Sequence, residues 1–318
     1  MVSSHPESSP APLTARAGDS EAGELRGGLL MSLSMCCFIL NDTMTKLLST
    51  KVGIGEFVFL RGLFATAMIF GLVTVSGHVH RIRSAFDRDV VIRALLDLVA
   101  TGLFIAALFH MPLPNLTAVM QAVPITATLM AMLLLGERVG RMRLAAIAVG
   151  LIGVLLIVKP GSSSFNPAVI LAAGAMVAVA MRDLVTRKIG AEIPSAVVTL
   201  TTAVLVTLGG AAWSAIEGLE PMSGGTAMTL ALAALFLIAG QYLTVQAVRV
   251  AGIAATAPFR YTIIAWSLIL GWAVFGFIPD SPAFIGIVLI AGSGLYTILE
   301  STLKQRQRRW YRHGSSQP

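Results

Sequence analysis

The sequence predicts an all-α polytopic membrane protein with ten transmembrane helices arranged as two inverted five-helix repeats. Three observations point there. Of 318 residues, 56% are hydrophobic and 12% charged, roughly half the charged share of an ordinary soluble domain, so a soluble fold would lack the polar surface to cover so much apolar material. The apolar stretches recur at lengths near the ~20 residues a helix needs to cross the hydrocarbon core. The basic residues then fall almost entirely on one side of the membrane that those stretches define.

Taken in order, residues 1–26 are rich in Ser, Pro, Ala and Glu without apolar periodicity and are expected to form a disordered cytoplasmic tail. They lack the basic region, apolar core and small-residue cleavage site of a removable signal. Ten apolar segments follow, at about 28–48, 55–75, 92–110, 116–135, 144–158, 168–188, 195–216, 226–248, 255–275 and 283–301. The fourth carries Pro124, three residues after Gln121, and in the ninth Pro258 removes a backbone donor and can open the helix locally. The fifth is short and is expected to tilt or to reach toward Lys159. Connections such as KPGSSSFNP and EGLEPMSGG are brief and rich in Pro, Gly and Ser. The organisation is therefore a tail (1–26), a first repeat (27–160), a second repeat (161–303) and a basic cytoplasmic tail (304–318).

Seventeen of the 23 Lys and Arg residues lie on the side that holds both termini, two (Lys51 and Lys159) on the other, and four (Lys46, Arg61, Arg182, Arg260) inside spans. Basic residues accumulate on the cytoplasmic side, so both termini are placed in the cytoplasm and the protein in the cytoplasmic (inner) membrane as a multi-pass chain. The net charge of +7 then follows from topology, and no nucleic-acid partner is expected. The last basic run, KQRQRRWYRH, suits a face of anionic membrane lipid. Cys36 and Cys37 are adjacent in an apolar run and read as packing residues.

Laying each position over the one about 140 residues later aligns NDTMTK (41–46) with RDLVTR (182–187) and Gly136 with Gly276, and sets Gly153 near Gly294. Five spans per half is an odd number, so the second half enters from the opposite face. Inverted repeats of this kind are common in secondary transporters, where two similar halves exchange conformations around a central site.

Ionised groups inside a span cost about 2.5 to 3.5 kcal/mol at the bilayer centre and so face protein or water. Asp42 and Lys46, with Asn41 beside them, are spaced to share one helix face, and Asp183 and Arg187 repeat that spacing. They are read either as polar gates at opposite mouths of one cavity or as intrahelical ion pairs that hold helices in register. Arg61 and Asp97 are read as a buried pair or a part of the same gating and coupling set, with the aspartates as proton carriers. In the ninth span, Arg260 is a candidate partner for a substrate carboxylate or phosphate, and Tyr261 and Trp266 for stacking on a planar group. Gln121, Gln241 and Gln246 are binding groups or interhelical glue. Glu137 reads as a structural salt-bridge centre at the cytoplasmic end of the fourth span.

No GxSxG, HExxH or Walker loop is present, so the chain is not expected to be an enzyme, to use a cofactor or to draw on ATP. Energy would come from the solute gradient or from a coupled proton or other ion.

Residues 113–161, which contain LGER, and residues 257–296, which contain FGFIPD, resemble the two repeat endings of the drug/metabolite transporter superfamily, EamA-type branch. The likeness covers about residues 28–300. It implies a ten-helix carrier with a central cavity for small organic solutes. Members export amino acids and other metabolites or import riboflavin or S-adenosylmethionine. One departure is Phe277, where the second repeat usually has an acidic residue matching Glu137. The expected function is a secondary transporter of a small polar or charged solute by alternating access, with a homodimer left open. The alternatives are a scaffold or sensor without transport, and an intramembrane lipid-modifying enzyme.

Overall fold

The structure, a computed structural model, describes residues 13–75, 78–136, 140–159, 165–190, 192–218 and 223–296. Eleven α-helices follow one another: α1 (Leu13–Leu48), α2 (Ile54–Val75), α3 (Arg88–His110), α4 (Leu113–Met120), α5 (Val123–Leu135), α6 (Arg141–Val158), α7 (Ala168–Thr186), α8 (Ser195–Glu217), α9 (Gly224–Thr256), α10 (Thr262–Phe275) and α11 (Ser281–Tyr296). Among the described residues, eight spans are long and apolar enough to cross a membrane, α4 and α5 together counting as one, and Leu144–Val158 and Ser281–Tyr296 are shorter. Those two short helices close the first and second repeat respectively.

Helix α1 starts at Leu13, inside the segment expected to be disordered. The residues concerned, LTARAGDSEAGELR, are mostly good helix formers, and once the apolar part is helical each further residue adds a hydrogen bond without a new nucleus. The fourth span breaks at Gln121–Ala122 into α4 and α5. Pro124 has no N–H for the carbonyl four residues back, and its ring crowds that carbonyl. The ninth span shows the same interruption: a 3₁₀ turn, Ala257–Tyr261, carries Pro258 and leads into α10.

The repeat is visible in the backbone. Gly136 ends α5 at φ 65°, ψ 20°, and Gly276 ends α10 at φ 63°, ψ 15°, a left-handed conformation that glycine adopts without steric cost. Helix packing follows the same symmetry. α1 packs on α9 and α3 on α7, while α2 packs on α8 and α4 on α10. Exchanging the two halves maps the first pairing onto the second and α2–α8 onto itself, while α4–α10 joins the fourth span to its counterpart, the ninth. α6 and α11 complete the set with Gly153 against Gly286, where a Cβ on either would meet the other's carbonyl oxygen at 2.7 or 2.5 Å. Such close backbone approach is how small residues bind membrane helices. Gly294, also on α11, faces the Tyr261 ring. The main core draws Ile39, Leu116 and Ile157 from the first repeat and Ala172, Ile264 and Ile290 from the second, so the halves share one interior.

Candidate functional site

Charged side chains from four helices line up through this interior. On α1, Asn41 Nδ2 donates to Asp42 Oδ1 at 2.9 Å. Arg61 of α2 lies within electrostatic reach of both Asp42 and Asp97 and stacks over the Phe57 ring at 5.3 Å. Asp97 of α3 is ion-paired to Arg182 of α7, whose guanidinium also donates to Asp183 at 2.9 Å. Arg93 of α3 adds bonds to Thr186 (3.1 Å) and Thr202 (2.6 Å). The result is a file of alternating sign, Asp42, Arg61, Asp97, Arg182, Asp183, that crosses from the first repeat to the second. Asp42 lies near the C-terminal end of α1 and Asp183 near that of α7. These are the first and sixth spans, which run in opposite directions, so the file ends toward opposite faces.

Several expected pairings are replaced. Lys46 does not pair with Asp42. Its Nζ donates to the carbonyls of Leu108 (2.8 Å) and Met111 (2.7 Å) and stands 5.9 Å over the Phe275 ring. The end of a helix offers unsatisfied carbonyls and a partial negative charge, and here they outcompete a carboxylate one turn away. Asp183 takes the adjacent Arg182 rather than Arg187, because Arg182 is already held over it by Asp97. Arg61 and Asp97 do not close the expected pair, since Asp97 is engaged by Arg182. No salt bridge among the described residues includes Arg61.

The expected binding set is dispersed. Arg260 is exposed in the 3₁₀ turn between α9 and α10, at the start of the ninth span. Proline opens the helix at that point, which places the side chain on the surface of the junction. Tyr261 follows it, its Oη buried without a hydrogen-bond partner. Trp266 is used as glue: its Nε1 donates to the Ser32 carbonyl of α1 at 3.1 Å. Gln121 sits at the α4–α5 break, while Gln241 is exposed and Gln246 half-buried on α9. Glu137 lies outside the described residues.

Two hollows lie between the repeats. One, of about 520 Å³, is lined mainly by apolar groups of α2, α3, α7 and α8, including Leu98, Gly102 and Trp213. The other, of about 330 Å³, is polar and is formed by the α3–α4 turn, the end of α6, the start of α7 and the α10–α11 loop. Its residues escaped the sequence reading, which gave Lys159 no partner. An ion pair joins Lys159 to Asp280, and this lysine holds the Asp280 carboxyl below the usual carboxylate range. Glu217 was also missed; it reaches from α8 to the Gly55 N–H at 2.9 Å, satisfying an open donor at the start of α2. So was Glu56, 4% exposed in the first turn of α2. These groups stand at segment boundaries, where sequence patterns are least informative.

An all-α bundle of membrane-crossing helices, built from two inverted halves with partly buried charges between them, has the architecture of a membrane transporter. The family model of the EamA-like transporter family matches this chain twice, over residues 25–159 and 166–299, and the chain belongs to that family. It is 24% identical over 279 residues to an S-adenosylmethionine uptake transporter of Rickettsia prowazekii, covering 86% of this chain and 92% of the relative. It is 26% identical over 289 residues to a riboflavin transporter of Rhizobium johnstonii (88% and 93%), and 24% identical over 290 residues to a riboflavin transporter of Vibrio cholerae (90% and 97%). One solved crystal structure, 19% identical, shares the fold at a TM-score of 0.50 over 90% of this chain and 99% of the other.

Proposed function

We propose that the protein is a secondary transporter of the inner membrane that moves a small polar or charged organic metabolite, of the S-adenosylmethionine or riboflavin kind, by alternating access. The observation that carries this reading is the placement of Arg61 between Asp42 and Asp97 without an ion pair to either. A charge inside a membrane bundle is costly, and one with two acidic neighbours on different helices has two candidate partners. Exchanging between them moves α2 relative to α1 and α3. Because Asp97 is tied to Arg182 of the second repeat, that exchange is transmitted across the interface between the halves. Protonation of Asp42 would free Arg61 for Asp97, which is a direct route for coupling to a proton gradient. The apolar hollow between α2, α3, α7 and α8 suits the flat or apolar body of the solute.

Counterflow in proteoliposomes with labelled S-adenosylmethionine and labelled riboflavin tests this. Wild type is expected to carry at least one of them, with Arg61→Ala and Asp42→Asn each slowing the rate tenfold or more. Wild-type rates in both variants would remove the charge file from the mechanism, and no counterflow of either solute would remove the substrate class.

A further inference from the structure

The C-terminal end of α3 is held by side chains from both repeats. The last four carbonyls of a helix have no partner within it; in α3 these belong to Ala107 through His110, and Met111 follows as the C-cap. The chain itself satisfies one of them, since the Met111 N–H donates to the Ala107 carbonyl at 2.9 Å. Lys46, in the last turn of α1, takes the Leu108 and Met111 carbonyls at 2.8 and 2.7 Å. Asn166, just before α7, takes the His110 carbonyl at 2.9 Å, and its own Oδ1 accepts from the Ala168 N–H at 2.9 Å. Asn166 is thereby fixed on the start of α7, so the α3–α4 turn is gripped from two sides. The turn leads directly into α4, which packs on α10, and Lys46 also stands 5.9 Å over the Phe275 ring at the end of α10. The two grips differ in one respect. Asn166 makes neutral bonds, whereas Lys46 is a cation with a carboxylate, Asp42, one turn back on its own helix. That carboxylate already has Arg61 within electrostatic reach, and Arg61 has Asp97 as a second neighbour.

We propose that Lys46 is the gate residue at this end of the bundle, the end away from both chain termini, and that Arg61 controls it by competing for Asp42. While Arg61 stays near Asp42, that carboxylate is satisfied, and Lys46 remains on its two carbonyls with the turn closed. When Arg61 passes to Asp97, Asp42 is left as a lone charge among apolar helices, which is a costly state. Lys46 then swings back one turn to Asp42 and lets go of Leu108 and Met111. Their carbonyls turn to water at the opening mouth, and the turn stays attached to Asn166 alone. One cation replaces the other on the same carboxylate, so Asp42 keeps a partner in both arrangements. A rearrangement of charge between α2 and α3 is thereby converted into movement of the α3–α4 turn away from α1. Lys46 touches no solute in this scheme; it is a positioning residue. Its part in transport rests on the exchange of Arg61 proposed above, whereas the clasp and its dependence on Asp42 are measured without any solute.

The test is the distance between two spin labels in the full-length protein in lipid nanodiscs, with Cys36 and Cys37 replaced by Ala. One label is placed by Leu47→Cys, at a position 41% exposed at the end of α1, and the other by His110→Cys, at an exposed position at the end of α3. Lys46→Met is expected to raise the ratio of long to short distances about tenfold, a factor that one lost hydrogen bond to a charged group suffices to give. Lys46→Arg, which keeps the cation and can donate to both carbonyls, is expected to retain the short distance. Two further variants separate a gate from a structural prop. Arg61→Ala leaves Asp42 to Lys46 and lengthens the distance, and adding Asp42→Asn to Arg61→Ala restores the short one. A lysine that merely packs against the turn responds to neither, and misfolding does not produce a pattern in which the double variant recovers. An unaltered distance in Lys46→Met, or the same distance in Arg61→Ala and in the double variant, would each overturn the proposal. Counterflow of S-adenosylmethionine and riboflavin measured in parallel separates the two readings. Transport by the wild type with distances that ignore these variants sinks the gate and spares the carrier. The full distance pattern without counterflow of either solute keeps the clasp and sinks its link to transport.

Discussion

The α1–α9 and α3–α7 seams are related by the internal symmetry of the fold, yet they are held by different chemistry. Along α1–α9 the contacts are small and uncharged. Ser34 donates to the Gly240 carbonyl at 2.7 Å and shares a hydrogen with Thr244 at 2.6 Å, Gly240 lies against the Phe38 ring, and Gly27 against Ala251. Along α3–α7 the equivalent space holds Asp97, Arg182, Asp183 and Arg93. The same backbone arrangement thus accommodates a packed seam and an ionic one. Packing between small residues is hard to exchange for another arrangement, because the backbones are already in contact. Ion pairs with neighbouring alternatives are easily exchanged. On the transport reading proposed above, the moving charges are expected on the α3–α7 side and the fixed hinge on the α1–α9 side.

The largest effect should come from breaking the ionic seam. Arg182→Ala leaves Asp97 and Asp183 without their shared partner, and because the three are partly exposed the loss is expected to fall below the about 3–5 kcal/mol of a fully buried pair. A fall in thermal stability together with loss of transport is expected, and Asp97→Asn in the same chain should recover part of the stability. Full additivity of the two changes would show that the pair does not couple the helices.

Next is the packed seam. Gly240→Leu drives a side chain into Phe38, whose ring would lie 2.9 Å from the new Cβ. Overpacking of this order costs about 1–3 kcal/mol. Here the melting temperature is expected to fall while the solute affinity of the protein that remains folded is unchanged; a changed affinity would mean that α1–α9 is not a passive hinge.

Ser34→Ala is milder, since interhelical hydroxyl bonds average about 0.6 kcal/mol in membranes. A small loss of stability with wild-type counterflow is the outcome that fits.

The smallest effect concerns the Lys159–Asp280 latch. Lys159 lowers the Asp280 pKa, so the folded state binds this proton less readily than the unfolded chain. The latch's contribution is therefore present above the ordinary aspartate value of about 3.9 and is lost as pH falls through the lower folded-state value. Stability differences between wild type and Asp280→Asn should be flat from about pH 5 to 8 and vanish only below about 4. A difference that vanishes already near pH 6 would mean that some other group titrates there.

Much of the fold is legible in the chain because its signals are local and strong. The apolar runs mark the spans, Pro124 and Pro258 mark their interruptions, and Gly136 and Gly276 end helices at one repeat spacing with matching left-handed dihedrals. The site was less legible. Asp42, Arg61, Asp97 and Asp183 stand out as charges in apolar runs, but spacing along one helix suggested Lys46 and Arg187 as partners. Interhelical groups compete for each charge, and sequence spacing is silent about them: Lys46 finds two carbonyls of another helix end and Asp97 finds Arg182. Lys159 and Asp280 are separated by most of the second repeat and become neighbours only when α6 meets α11.

Composition and order of residues alone therefore settle the solvent this protein lives in, the number of its apolar segments and the duplication of its halves. Each of these depends on energies summed over many residues, which no single contact can reverse. Which acid meets which base, and which side chain faces a hollow rather than a neighbouring helix, was decided by tertiary packing. Those choices turn on interactions of a few kcal/mol between groups far apart in the chain, and only the assembled bundle brings the competitors within reach of one another.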